Sequence, residues 1–289
     1  MFSFLAKDKR VLGLDITEDY IRYVVVYKKG NKKEILSYGE ERLARVNPKN
    51  GLFFALSNIK RKTKTKNAIV SLPEDIARFE TVSILKTKSN LISDHLKFRL
   101  FEDNKISNNE EIMYFEKTQS VGSEEFYKVL ISTPSNANFF KSVFANSGIN
   151  VLNFLSHKEA LISSCIKEGE ILPTMIVNLE QKFTNIAVFY PFNQFNEITL
   201  KISKENSSQA IKEVYINFYK INNEKIVKFL VSGFYASDVN LLNQISHETR
   251  LPIDEADVFA NFNLKDGVIP PIPKDESFLY VIAIGLAIR

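Results

Sequence analysis

The 289-residue chain has no tryptophan, one cysteine, three histidines and only ten glycines. Each scarcity excludes something. A single cysteine, Cys165, cannot build an internal disulfide framework or a cysteine-based zinc site, so the chain tolerates a reducing compartment. Cys165 falls in an apolar helical pattern with Ala160, Leu161 and Ile166, which predicts a small buried hydrophobe. His95, His157 and His247 are far apart and lie on different predicted helices, and no His, Asp or Glu pair has metal-ligand spacing. No glycine-flanked serine elbow is present. Catalytic residues and metal ligands are therefore not expected. The longest apolar run, 278–288, is about half the length of a membrane span. Residues 1–6 are too short for a secretory core and are followed by charge, so a cytoplasmic protein is expected.

What is present suits a globular chain of roughly two domains, with 45% hydrophobic and 25% charged residues. The net charge of +4 is uneven. Residues 1–66 hold sixteen Lys and Arg against seven Asp and Glu, and the densest run is Lys60-Arg-Lys-Thr-Lys-Thr-Lys66. Cations suit a helix C-terminus. The same run offers a contact for an anionic membrane surface through the basic N-terminal part. No aromatic residues interleave with the run, so no nucleic acid is expected.

The pattern along the chain opens with a hairpin. Strands are predicted at 11–16 and 21–27, joined by Thr17-Glu18-Asp19, with Asp15 at the end of the first strand. A third strand (33–43), a helix (50–62, with Leu52, Phe53, Leu56 and Ile59 on one face) and a short strand (67–72) follow. Residues 74–150 change character. They give strands at 78–85, 112–117 and 126–133, a helix over 90–101 and another over 134–145 that ends at Gly148. A strand at 150–155 precedes a helix to 167, capped by Ser156 with Glu159 at capping-box spacing. Strands at 175–179, 183–190 and 196–202, a helix over 206–219, a strand at 228–232 and a helix over 236–248 form a second half. A Pro-rich loop (263–274) and an apolar helix (277–289) close the chain. The β-β-β-α order occurs twice, an internal pseudo-repeat.

Gly13-Leu-Asp-Ile-Thr17 with Ile21-Arg22, Ile69-Val-Ser-Leu-Pro73 with the strand from Arg78, Gly148-Ile149, and Ala283-Ile-Gly-Leu-Ala-Ile-Arg289 occur in the order seen in the PilM family. The chain resembles that family, the actin-like proteins of type IV pilus assembly, and shares its layout with the cell-division relative FtsA. The resemblance implies an α/β, actin-like (ribonuclease H-like) two-domain fold. The first core subdomain would be 1–73, completed by 150–172 and 275–289. An inserted α/β subdomain would span 74–149, and a reduced second core subdomain 173–274. It also implies a position on the cytoplasmic face of the inner membrane. The partner would be the N-terminal tail of a PilN-like membrane protein, lying in a groove between the first core subdomain and the insert. Arg78 and Phe79 are the candidate partner-binding residues, since a peptide there could add to a sheet edge.

The resemblance further implies an ATP site between the halves, and the residues depart from it. Asp15 is kept, but Thr17 stands where glycine is usual, followed by Glu18 and Asp19. In the second hairpin Asn178 replaces the expected Asp and Glu180 the expected Gly, leaving Thr184. Val231-Ser-Gly233 has one glycine where two are usual, and Phe234 would crowd a base. Like charges about 4 Å apart cost on the order of 4 kcal/mol at intermediate dielectric. The expectation is a non-catalytic scaffold without a cofactor, in which Asp15 accepts backbone N–H bonds of its own turn. The alternative is an ATP-binding switch or filament-forming ATPase, with ATP and Mg²⁺ held near Asp15, Thr17, Thr184 and Gly233.

Overall fold

The computed structural model describes residues 10–30, 32–43, 48–73, 75–167, 169–189, 196–200, 204–222, 225–259, 261–262 and 271–289. The opening residues 1–6 and the Pro-rich segment up to 270 lie outside them.

The first half is built on β1 (Arg10–Ile16), β2 (Tyr20–Lys29), β3 (Lys32–Arg42), β4 (Asn67–Ser71) and β8 (Asn150–Phe154), in the order β3-β2-β1-β4-β8. β1 and β2 are rich in Val, Leu and Ile and are buried on both faces, because helices cover both sides of the sheet. On one side lie α1 (Pro48–Thr63) and α3 (Pro134–Ser147). Leu52, Leu56 and Ile59 of α1 meet Phe140, Val143 and Phe144 of α3 in one apolar cluster with β1 and β4. The edge strand β3 is more exposed and carries the charge.

An insert follows β4. β5 (Ala77–Leu85), β6 (Glu111–Val121) and β7 (Glu124–Ser132) pair in the order β5-β7-β6, with α2 (Ile92–Glu102) on one face. The β6–β7 hairpin is tighter than the sequence pattern suggests. Its strands run through the polar stretch 119–123 to a turn at Gly122, whose φ of +60° favours glycine. α3, grouped with the insert by the sequence reading, packs its Phe residues into the first core instead. Its ends were legible: Thr133 accepts the Asn136 N–H, Pro134 opens the helix, and Gly148 closes it in the left-handed conformation. α4 (His157–Cys165) starts at Ser156 with both capping-box bonds formed, and it stops two residues short of the predicted end.

The second half repeats the first. β9 (Thr174–Leu179), β10 (Thr184–Phe189), β11 (Asn196–Leu200), β12 (Lys228–Ser232) and β13 (Asp254–Glu255) form a sheet in the order β11-β10-β9-β12-β13. This is the order of the first sheet, position for position, so the pseudo-repeat read from the sequence is a repeat of topology. One helix, α5 (Lys204–Asn222), fills the interval between β11 and β12. α6 (Val239–Thr249) begins three residues later than predicted, because the Asp238 side chain caps it by accepting the Leu241 N–H.

The C-terminal segment carries α7 (Lys274–Ser277) and α8 (Val281–Ile288). Every residue of α8 is buried. It lies with α4 in the largest apolar cluster, which draws Val24 and Val26 from the first sheet and Ile176, Ala187 and Leu230 from the second. Gly285 permits this packing: a Cβ there would come 1.9 Å from the Ala160 carbonyl oxygen of α4. The helix that ends the chain is thus the middle of the molecule. No helix among the described residues is long and apolar enough to cross a membrane.

Candidate functional site

The turns of the β1–β2 and β9–β10 hairpins face each other. A cavity of about 420 Å³ lies between them, lined by residues 16–20 of one turn and 180–183 of the other, together with Pro73, Asp75, His157 and Asn185.

The two turns are built alike. The Thr17 N–H donates to the Tyr20 carbonyl at 2.9 Å, and the Glu180 N–H to the Phe183 carbonyl at 3.0 Å. One step back, Asp15 and Asn178 occupy matching places. Asp15 Oδ1 accepts from Ser71 at the end of β4, at 3.1 Å. Asn178 Oδ1 accepts from Ser232 at the end of β12, at 3.0 Å. Both strand ends read Val-Ser, a repeat in the sequence that marks these partners.

This geometry corrects the expected role of Asp15. Its carboxylate faces Ser71 and His157, whose Nε2 lies 3.3 Å away, and not the backbone of its own turn. The turn is held by Thr17. Its hydroxyl donates to the Tyr20 carbonyl at 2.9 Å and accepts the Tyr20 N–H at 3.1 Å. His157 stacks on Phe183, with ring centroids 6.2 Å apart.

Glu180 defines the site. Its side chain turns inward, across to the first half. It accepts from Arg22 Nη1 at 2.8 Å and from the Tyr20 hydroxyl at 2.8 Å. Arg22 lies opposite Asp15 on β2. It also reaches Glu40 at 3.1 Å and the Leu279 carbonyl at 3.0 Å, and its guanidinium stacks 4.2 Å above the Tyr20 ring. The Arg22 and Glu180 side chains are 3% and 5% exposed. Burial pushes the Glu180 carboxyl up, while Arg22 and Tyr20 pull it back. Burial opposes the charge on Arg22 too, but the Glu180 carboxylate holds its guanidinium above the ordinary value. Burial and the same carboxylate raise the Tyr20 hydroxyl.

The rim adds a second bridge. Lys182 reaches Asp19 at 2.7 Å and Glu18 at 2.9 Å. These carboxylates raise the Lys182 ammonium, Asp19 first. Sequence reasoning treated Glu18 and Asp19 as repellents of a phosphate; here they bind the opposite turn.

Thr184 is buried at the start of β10. Gly233 has φ +89°, and a Cβ there would lie 2.7 Å from the Leu179 carbonyl, so this glycine lets the loop after β12 close onto β9. Phe234 is exposed and stacks edge-on with Tyr235. Around the cavity the Glu180 carboxylate is turned to Arg22, the Asn178 oxygen accepts from Ser232, and the rim cation Lys182 is paired with Asp19. No group of three His, Cys, Asp or Glu among the described residues is placed to hold a metal.

The partner-binding candidates separate. Arg78 and Phe79 are neighbours on β5 and face opposite ways. Arg78 turns to the insert's own loop, where it pairs with Glu110 and donates to the Lys105 carbonyl at 2.7 Å. That pairing holds the Glu110 carboxyl down at about 2. Phe79 faces the first core. With Thr81, Thr118 and Lys128 it forms one wall of a groove of about 330 Å³, whose other wall is Ser156, Lys158, Glu159 and Ile162 of the α4 region, with Arg289 at the end. Lys128 lies 4.6 Å above the Phe79 ring and binds both Glu159 oxygens at 2.7 and 2.8 Å. Arg22 was marked in the sequence only as a motif residue, and Tyr20, Lys182 and Lys128 were given no role, because no spacing signals their distant partners.

Two five-stranded sheets of the same order, with hairpin turns opposed across a cleft and two helices buried between them, define an actin-like fold. Known structures agree. The chain is similar to the PilM–PilN type IV pilus biogenesis complex, with a TM-score of 0.75 and 9% identity, over 96% of this chain and 98% of that one. It is similar to a Bacteroides thetaiotaomicron protein of actin-like ATPase fold and unknown function (TM-score 0.52, 11% identity, 90% and 96% covered). It is also similar to the cytoplasmic domain of EpsL, an inner-membrane component of the Vibrio cholerae type II secretion system (TM-score 0.51, 13% identity, 95% and 94% covered). No family model and no curated protein matches the sequence.

Proposed function

We propose that this chain is a non-catalytic actin-like scaffold of a pilus- or secretion-type assembly, working on the cytoplasmic side of the inner membrane. The observation that carries the non-catalytic reading is the buried Arg22–Glu180–Tyr20 bridge. In an actin-like ATPase the nucleotide joins the two halves; here side chains of the two hairpins do so. Glu180 is the pin, and a phosphate entering at Arg22 would have to displace a buried carboxylate that already neutralises it. The likeness to the PilM–PilN complex supports the assembly reading.

The partner is the cytoplasmic tail of a PilN-like membrane protein, held in the groove between the insert and α4. The Phe79 ring, capped by Lys128, offers an apolar seat. The outer edge of β5 offers backbone groups to an extended segment. Lys158 and Arg289 favour a tail that carries carboxylates or backbone carbonyls to the rim.

Two measurements test the reading. Thermal unfolding with and without MgATP should give the same midpoint; a rise of several degrees, abolished in Asp15→Ala, would restore the ATP-switch alternative. A photocrosslinking residue at Phe79 should capture one small bitopic membrane protein in cells. Crosslinks to soluble proteins alone would remove the proposed partner.

A further inference from the structure

One end of the second half carries cations and apolar side chains that the cleft and the groove do not use. β9 begins there at Thr174 and ends at the hairpin turn in the cleft, so this end lies opposite the cleft. Two segments meet at it. The Pro173 carbonyl accepts the N–H groups of Val227 at 2.9 Å and Lys228 at 3.3 Å, which sets 169–173 beside 225–228. α5 ends three residues earlier. Lys204 pairs with Asp238, and Lys212 with Glu248 at 2.6 Å, so α5 and α6 run in the same direction, away from the cleft. Tyr215, Lys225, His247 and Arg250 line an open depression of about 710 Å³ between them.

Large apolar side chains project from this end. Ile221 is 78% exposed and Ile171 71%, and Leu172, Tyr219 and Val227 are exposed beside them. Scattered exposed hydrophobes need no explanation, but a cluster at one end does. Lys167, Lys220, Lys225 and Arg250 are exposed around them. None of these four makes an ion pair among the described residues, whereas Lys212 and Lys228 are paired with Glu248 and Glu170. The sequence also places Glu168 and Glu224 in these segments, outside the described residues.

We infer that this end of the molecule docks on an anionic lipid surface. Charge names the occupant, since exposed cations with no ion pair among the described residues surround the tips and favour anionic headgroups. Shape agrees: the apolar groups project from loop and helix ends, which suits entry into the acyl boundary of a bilayer. Tyr219 has the amphipathic ring found at headgroup level. The depression has Lys225, His247 and Arg250 on its walls, with the Glu248 carboxylate there neutralised by Lys212, and so offers its cations to a headgroup phosphate. This surface is distinct from the basic run at the end of α1, and the inference does not depend on the reading of the groove or the cleft.

Co-sedimentation of the full chain with vesicles tests it. One set is phosphatidylcholine alone, and the other contains roughly one-third phosphatidylglycerol. The chain should pellet only with the second set, and less as salt rises. Lys220→Glu, Lys225→Glu and Arg250→Glu together should abolish pelleting, each cation contributing about fivefold in partitioning. Ile221→Ser with Val227→Ser should weaken it while the charge is unchanged. All five positions are exposed, and a thermal melt confirms folding of both variants. Lys60→Glu with Arg61→Glu should pellet like the wild type. Pelleting with neither vesicle, equal pelleting with both, pelleting unmoved by either set of changes, or loss only in the α1 variant overturns the inference.

Discussion

Replacing Arg22 by Met, alone and together with Glu180, separates the buried bridge from the other contacts Arg22 makes to Glu40, Leu279 and the Tyr20 ring. The change keeps most of the side-chain volume and leaves Glu180 with Tyr20 as its only strong donor. A buried carboxylate that loses its cation costs about 3–5 kcal/mol. Replacing both Arg22 and Glu180 by Met removes both charges. The remaining cost is the Tyr20 hydroxyl and the Leu279 carbonyl left without a partner, together about 2 kcal/mol, and up to about 1 kcal/mol for the partly exposed Glu40 that loses its cation. The double variant should therefore be more stable than Arg22→Met, although it carries more changes. Urea unfolding followed by far-ultraviolet circular dichroism measures all four corners of the cycle. The coupling should be at least about 2 kcal/mol. The pH dependence has a definite sign. In Arg22→Met the folded-state pKa of Glu180 rises further, because burial acts without the opposing guanidinium. A raised carboxyl favours the fold at pH below its unfolded value and loses that contribution as pH rises through the folded value. The defect of Arg22→Met should therefore shrink as pH falls toward about 4.3. A coupling below about 0.5 kcal/mol, or a double variant as unstable as the sum of the singles, would refute the bridge as the joint between the halves.

The rim bridge should behave differently. Lys182 is about half exposed, so Lys182→Ala should cost less than about 1 kcal/mol in the same titration, and that loss should vanish in high salt. Gly285→Ala forces a methyl onto the Ala160 carbonyl between buried helices; an unfolding curve should show a loss of roughly 3 kcal/mol or more. The Arg78–Glu110 pair lowers the Glu110 pKa to about 2, so its contribution is complete above about 4.5 and is lost as pH falls toward 2. Because Arg78 is partly exposed, Arg78→Met should cost under about 1 kcal/mol at pH 7, and the difference from wild type should close in acid.

Much of the fold was legible because it is written in local signals. Ser156 and Glu159, Thr133 and Pro134, and Gly148 state the helix ends through backbone chemistry that needs no distant partner. The two hairpins were legible through β-branched runs broken by polar turns. The β6 and β7 strands were read too short on either side of their turn because a polar strand exposed to water has no alternation to reveal it. The start of α6 was misplaced because a capping Asp competes with a nearby alanine of higher helix propensity. The cleft was half legible. Asn178 and Glu180 stood out as residues ill-suited to phosphate, but what they do instead was hidden. Glu180 pairs across 158 positions, and a long-range ion pair leaves no periodicity. The same limit placed Arg78 and Phe79 in one site. Alternation along β5 sends them to opposite faces, and only the packing of α2 and α4 on those faces shows what each meets.

The bridge of Arg22, Tyr20 and Glu180 has a consequence for timing. A machine part joined by a nucleotide carries a clock, since hydrolysis loosens the joint and exchange resets it. A part joined by its own side chains is set once, when it folds, and keeps the same shape in a starved cell and a growing one. In the scaffold role proposed above, a signal that starts or stops the assembly would arrive through a neighbour and leave through another, with this chain as the fixed bracket between them.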